Sequence, residues 1–138
     1  MIVTKSIRVE SRADLDIIDI TEKVQEIVSS SKIKEGTVTV FVKGSTASVS
    51  TIEYEPNLVK DVKEAFERIA PSGREYEHHK TWGDRNGKSH VRATLMGPSC
   101  TIPFQDGKLI LGQWQNLVLL DFDVPVRERE LVLTVSGE

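Results

Sequence analysis

Residues 101–137 read TIPFQDGKLILGQWQNLVLLDFDVPVRERELVLTVSG, and this stretch decides the fold class. Three apolar runs, TIPF (101–104), LIL (109–111) and LVLLDFD (117–123), are followed by a fourth, RELVLTVSG (129–137). No helical period separates them. A parallel connection needs a dozen or more residues, usually a helix, so strands this close imply a mostly antiparallel sheet. Asp106-Gly107, between the first two runs, is a hairpin turn signal, because tight hairpins favour residues that tolerate positive φ. LVLLDFD is nearly continuously apolar and reads as a buried central strand.

Working outward, IVTKSIRV (2–9) is rich in β-branched residues and reads as a first strand. Ile20, Val24, Ile27 and Val28 then recur at helical spacing, with Asp19 or Thr21 as a cap and Ser29–Ser31 and Gly36 as the stop. TVTVFVK (37–43) and ASVSTIEY (47–54) are strands joined by a turn at Gly44-Ser45. Pro56 suits the first turn of a second helix. Leu58, Val59, Val62, Phe66 and Ile69 give that helix an apolar stripe directed at the core. After Pro71-Ser72-Gly73 no helical pattern is predicted, and HVRATLM (90–96) reads as a strand. The expected fold is α+β, with layered, mostly antiparallel β-sheets and two helices, in one domain spanning 1–138.

A chain of 138 residues with 38% hydrophobic and 28% charged side chains suits a single globular core. A net charge of −3 with no long basic run argues against a dedicated nucleic-acid binder. The basic cluster Arg127–Arg129 is a candidate anion contact. The N-terminus lacks the apolar core of a signal peptide, and no stretch is long and apolar enough to span a membrane. One cysteine, Cys100, leaves no internal disulfide, which fits a reducing cytoplasm. It is expected to be buried and inert.

The chemistry concentrates in residues 78–98, HHKTWGDRNGKSHVRATLMGP, which hold all three histidines, His78, His79 and His90. Groups this polar are costly to bury unless they bind each other, a metal or a ligand. The segment reads either as a polar site or as a hydrogen-bonded turn carrying surface histidines. On a strand, His90 and Arg92 would share a face, with Asp84 and Asn86 nearby. His78 and His79, being adjacent, would point to opposite faces, so one of them joins a given site. His78, His90 and Asp84 would make a mixed nitrogen and oxygen donor set suited to zinc, manganese or iron. No short ligand spacing supports that set. Ser45 and Thr46, in KGSTAS, resemble a phosphate-cradling turn without the Walker ending. Glu53 reads as a base or as a solvated strand end. Trp114 is expected in the core or at an interface.

TWGDRNGKSHVRATLMGPS followed by IPFQDGKLILGQWQNLVLLDFD closely resembles the YjbQ family, also designated UPF0047, whose later members are called secondary thiamine-phosphate synthase enzymes. The resemblance covers essentially the whole chain. Its signature runs from Ser99 to Leu117, through Gly107, to Gly-Gln-Trp-Gln. It implies an α+β fold with layered sheets, helices on one side, and a homotrimer. It also implies weak thiamine-phosphate synthase-type transferase activity on phosphorylated small molecules. That reaction joins a hydroxymethylpyrimidine diphosphate to a thiazole phosphate and releases pyrophosphate. The resemblance matches His78, Asp84, Asn86, His90 and Arg92 to the family's polar segment and keeps Glu53. For such a transferase, His90, Glu53 and Asp84 are the candidate catalytic groups, and Arg92, Asn86, Lys88, Ser45 and Thr46 the candidate substrate contacts. His78 and His90 are the candidate ligands of a divalent metal, magnesium or zinc. Relatives often carry a histidine where this chain has Gly44, and an asparagine where it has Ile52 before Glu53. A noncatalytic trimeric binding protein for a small anionic metabolite or a metal is the alternative.

Overall fold

The computed structural model describes every residue except Ala13 and Val126. Among the described residues the strands form two antiparallel sheets. The larger has the order β1 (Ile2–Ser11), β8 (Arg127–Gly137), β3 (Gly36–Val42), β5 (Ser99–Gln105) and β6 (Lys108–Leu109). The smaller is β2 (Asp16–Asp19), β7 (Asn116–Asp121) and β4 (Ala47–Ile52). The β5–β6 hairpin turns on Asp106 and Gly107, both at positive φ, 52° and 73°, as a two-residue hairpin of the primed type requires.

The sheets pack face to face, and β7 shows why its run is apolar throughout. Leu117 and Leu119 face inward, onto a core shared with Val38, Val40, Leu131, Leu133 and Val24. Val118 and Leu120 face outward, under Phe66 and Ala93. Both faces are covered, so alternation disappears. Each such side chain contributes about 1.5–3 kcal/mol by leaving water.

Helix α1 (Thr21–Ser30) buries Val24 and Val28 in the inner core. Asp19 opens it, its Oδ1 accepting from the backbone and hydroxyl of Thr21 at 3.0 and 2.6 Å. Helix α2 (Pro56–Ile69) starts at proline, with the Glu55 carboxylate accepting the N–H groups of Asn57 and Leu58. Its Phe66 meets Phe122 edge-on, with ring centroids 4.9 Å apart.

The predicted strand at 90–96 is overturned. These residues form a third helix, α3 (Gly87–Met96), preceded by a 3₁₀ turn at Glu77–Lys80. Lys88, Ser89, Arg92 and Ala93 are its buried face, spaced as one side of a helix. The hydroxyl of Ser89 donates to the carbonyl of Phe122, and the hydroxyl of Ser48 donates to the carbonyl of Ala93 at 3.2 Å. The helix thus lies across the end of the small sheet. Its buried face is largely polar, which is why no apolar stripe marked it. The short strand β2 was also missing from the predicted order. Trp114 is 68% exposed, which removes the core option for it. Cys100 is partly buried against the main core, and burial pushes its thiol up.

Candidate functional site

The site forms where the two sheets end together. Ser11 ends β1 opposite Arg127, which begins β8, and Asp121 ends β7 opposite Ala47, which begins β4. The β3–β4 turn, the loop before α3 and the β7–β8 connection meet there. They enclose a cleft of about 350 Å³ lined by Ser45, Thr46, His78, Asn86, His90 and Arg127, with Gly44, Trp82, Asp84, Asp123 and Arg129 completing its wall.

Its floor is a buried charge network. The Arg129 guanidinium grips Asp121 through Nε to Oδ2 at 2.8 Å and Nη2 to Oδ1 at 2.7 Å. Ser11 donates to the same carboxylate, as does the Asp123 N–H at 3.0 Å. Burial pushes the Asp121 carboxyl up, but these donors outweigh it and hold the group below its ordinary range. Arg129 Nη2 also donates to the Thr46 hydroxyl at 2.7 Å, which donates onward to Asp123 at 3.2 Å. Asp123 is likewise pushed up by burial and brought lower by the Val124 N–H, Arg127 and Asn86. Arg127 commits its Nε to Asp123 and keeps a half-exposed guanidinium at the mouth.

Three side chains on the wall stand out. Asn86 is buried and donates Nδ2 to Asp123 Oδ1 at 3.4 Å. A carboxylate can only accept, so the amide orientation is fixed. Among the described residues its Oδ1 is the one buried side-chain polar atom without a hydrogen-bond partner. His78 and His90 pack edge to face with ring centroids 4.6 Å apart. Both rings also line a neighbouring cleft with Tyr76 and Val91. They form a thin wall of two titratable groups.

The structure brings together Ser45, Thr46, His78, Asp84, Asn86 and His90. It separates Arg92, Lys88 and Glu53 from them. On a helix, residues two apart diverge by about 200°, so Arg92 points away from the face that carries His90. Its Nε and Nη2 donate to the Ala70 carbonyl at 3.2 and 2.8 Å, and Nη2 also reaches Glu67 at 3.0 Å. Lys88 is buried, both Asp14 oxygens lying 2.7 Å from its Nζ. Glu53 is exposed beyond the far end of β4, on the order of 20 Å along the strand from Thr46 at about 3.3 Å per residue. Asp121 and Asp123 were not singled out from the sequence. Two acids inside an otherwise apolar run were the available signal, since such groups are rarely buried unpaired.

The donor set does not make a metal cage. Among the described residues no three His, Cys, Asp or Glu side chains gather closely enough to hold an ion. His78 and His90 meet ring edge to ring face, which is a packing contact.

Two antiparallel sheets with helices over the smaller one, and a polar cleft at their common end, define an α+β domain of the YjbQ type. The UPF0047 protein YjbQ-like family model matches residues 5–138, and the chain belongs to that family. It is similar to a UPF0047 protein of Archaeoglobus fulgidus, 37% identical over 118 residues, 86% of this chain and 90% of that protein. A second relative, from Methanothermobacter thermautotrophicus, is 32% identical over 137 residues, 99% of this chain and 94% of that one. Among solved structures, a YbjQ-like protein of unknown function from Sulfolobus solfataricus P2 superposes with a TM-score of 0.93 at 32% identity, covering 100% of this chain and 99% of that one. No helix among the described residues is long and apolar enough to cross a membrane.

Proposed function

We propose that the cleft binds a small phosphorylated molecule and carries weak transferase activity of the thiamine-phosphate synthase type. The observation that supports this most is the meeting of Arg127, the Ser45-Thr46 turn and the His78–His90 pair around one cavity. Arg127 and the turn supply donors for phosphate oxygens. Substitution at a carbon bearing diphosphate puts charge on the departing pyrophosphate, and those donors stabilise it. His90, backed by His78, holds the proton that the leaving oxygen takes. Glu53 has no part in this step. No three protein ligands gather among the described residues, and no step is routed through a metal. The chain acts as a homotrimer in this reading, with exposed Trp114 and Ile110 as apolar area for a neighbouring copy to cover.

One observation favours the noncatalytic alternative. Gly44 has φ 129°, and a Cβ there would lie 2.9 Å from Arg129 Nη1. A histidine at this position would be strained and would disturb the buried network. The cleft is thus built around glycine where relatives often carry histidine.

The test is a direct assay of the purified protein with hydroxymethylpyrimidine diphosphate and thiazole phosphate, run beside complementation of a strain lacking its thiamine-phosphate synthase. Pyrophosphate release and growth rescue are expected. Neither result, with pyrophosphate still bound by calorimetry, leaves the binding protein. No turnover and no binding of pyrophosphate removes the transferase reading.

A further inference from the structure

We propose that His79 is a positioning residue that locks the His78 ring against His90. The two adjacent histidines do different work. His78 lines the cleft, whereas the His79 side chain is only 7% exposed and faces the other way. Its Nε2 accepts the backbone N–H of Gly87, the first residue of α3, at 3.2 Å. A nitrogen that accepts carries no proton, so a single ring hydrogen would sit on Nδ1, where the Tyr76 N–H also approaches at 3.5 Å, the long limit of a hydrogen bond. That nitrogen faces Glu75 Oε1 at 3.3 Å. Glu75 is itself held by Arg85 through Nη1 and Nη2 at 3.2 and 2.7 Å.

The contact exists because residue 87 is glycine. A Cβ there would lie 2.5 Å from Tyr76 Cβ and 3.2 Å from His79 Nε2, so any side chain would drive the 3₁₀ turn off the helix. Tyr76 packs edge-on against the His79 ring at 5.5 Å and anchors its hydroxyl on the Pro71 carbonyl at 2.7 Å. The turn that carries His78 is thereby tied to the start of the helix that carries His90. Asn86 sits one residue before the tie and His90 three residues after it. The 4.6 Å centroid spacing of the two cleft rings is set by a side chain that is not part of the cleft wall.

The test uses NMR on the whole chain. In the unmodified protein a scalar coupling is expected between the Gly87 amide nitrogen and His79 Nε2, together with an inter-ring contact between His78 and His90. His79→Leu fills the space without either hydrogen bond and should lose the inter-ring contact. His79→Gln can accept from Gly87 and donate to Glu75, and should restore it. No Gly87–His79 coupling, or an inter-ring contact that survives in a folded His79→Leu chain, overturns the proposal. If the leucine variant does not fold, Glu75→Ala decides, because residue 75 is exposed. A weakened inter-ring contact there supports the lock, and an unchanged one overturns it. A second readout rests on the phosphate reading above: His79→Leu should bind inorganic pyrophosphate several-fold more weakly, and His79→Gln should not. Pyrophosphate binding to none of the chains counts against that reading, and the ring contact then judges the lock separately.

Discussion

Arg129 and Asp121 form a bidentate ion pair inside the protein, 2.8 and 2.7 Å long, with the Asp121 side chain fully buried. The pair joins β8 of the large sheet to β7 of the small one, at the end where the cleft opens. Arg129→Met should destabilise the fold by about 3–5 kcal/mol, because it leaves a buried carboxylate without its partner. Arg129→Met combined with Asp121→Leu should recover much of that loss. Urea denaturation of the two variants checks both statements, and a single variant as stable as the parent would contradict the first.

The same carboxylates set the acid limit. Asp121 and Asp123 titrate below their ordinary range in the folded protein. A depressed folded value means that the unfolded chain binds more protons as pH falls. Their contribution is complete above the ordinary aspartate value of about 3.9 and disappears as pH drops through the lower folded values. The urea midpoint should therefore hold from neutral pH down to about 5, then fall. Asp123→Asn should flatten that fall. Glu75 and Glu130 are also held low, by Arg85 and by Lys43 respectively. They are exposed, so concentrated salt should remove their part and leave that of the buried pair.

Arg92→Ala separates the extended reading of residues 90–96 from the helical one. On a strand, Arg92 would face the cleft beside His90, and its loss would weaken anion binding. On α3 it is 2% exposed and donates to the Ala70 carbonyl. Arg92→Ala should therefore lower the melting temperature and leave pyrophosphate affinity and its salt dependence almost unchanged. Calorimetry at two ionic strengths measures this.

The legible parts of the fold are those where burial and residue type agree. The apolar run of β7 and the Asp106-Gly107 turn follow patterns that the structure keeps, and the α2 stripe holds at Val59, Val62 and Phe66, whereas Ile69, at the end of the helix, is 59% exposed. Helix α3 broke the rule, because its inward face carries Lys88, Ser89 and Arg92, each satisfied by a partner contributed from elsewhere in the fold. Its ends were nonetheless marked. Asn86 stands at its start, and Gly97, at φ 88°, followed by Pro98, closes it. Within the site, the dense polar segment pointed to His78, Asp84, Asn86 and His90. Glu53 and Lys88 were misplaced because a local motif cannot say which end of a strand, or which side of a helix, meets the cleft. Asp121 and Asp123 were hidden in a strand that reads as core.

His90→Ala should leave the melting temperature near that of the parent. His90 is only partly buried, and its ring packs on His78. If the transferase reading holds, turnover should fall by about 10²–10⁴-fold, as for loss of a general acid. A variant that melts normally and turns over normally would exclude His90 from the chemistry.

Arg127→Ala is the sharpest probe of what the cleft holds. Arg127 is about half exposed, so its removal costs little packing, and Asp123 keeps the Val124 N–H and Asn86 as donors. The charge at the mouth nevertheless falls by one. Affinity for inorganic pyrophosphate should drop, and the remaining affinity should be less sensitive to salt, because one screened charge contact has gone. Lys would be an incomplete substitute, since a single ammonium cannot hold Asp123 and a phosphate in the planar fork that guanidinium offers. Glu53→Ala, made alongside, should change neither affinity nor salt dependence, because that carboxylate lies at the other end of β4. Equal losses from Arg127→Ala and Glu53→Ala would mean that the anion binds somewhere other than the cleft.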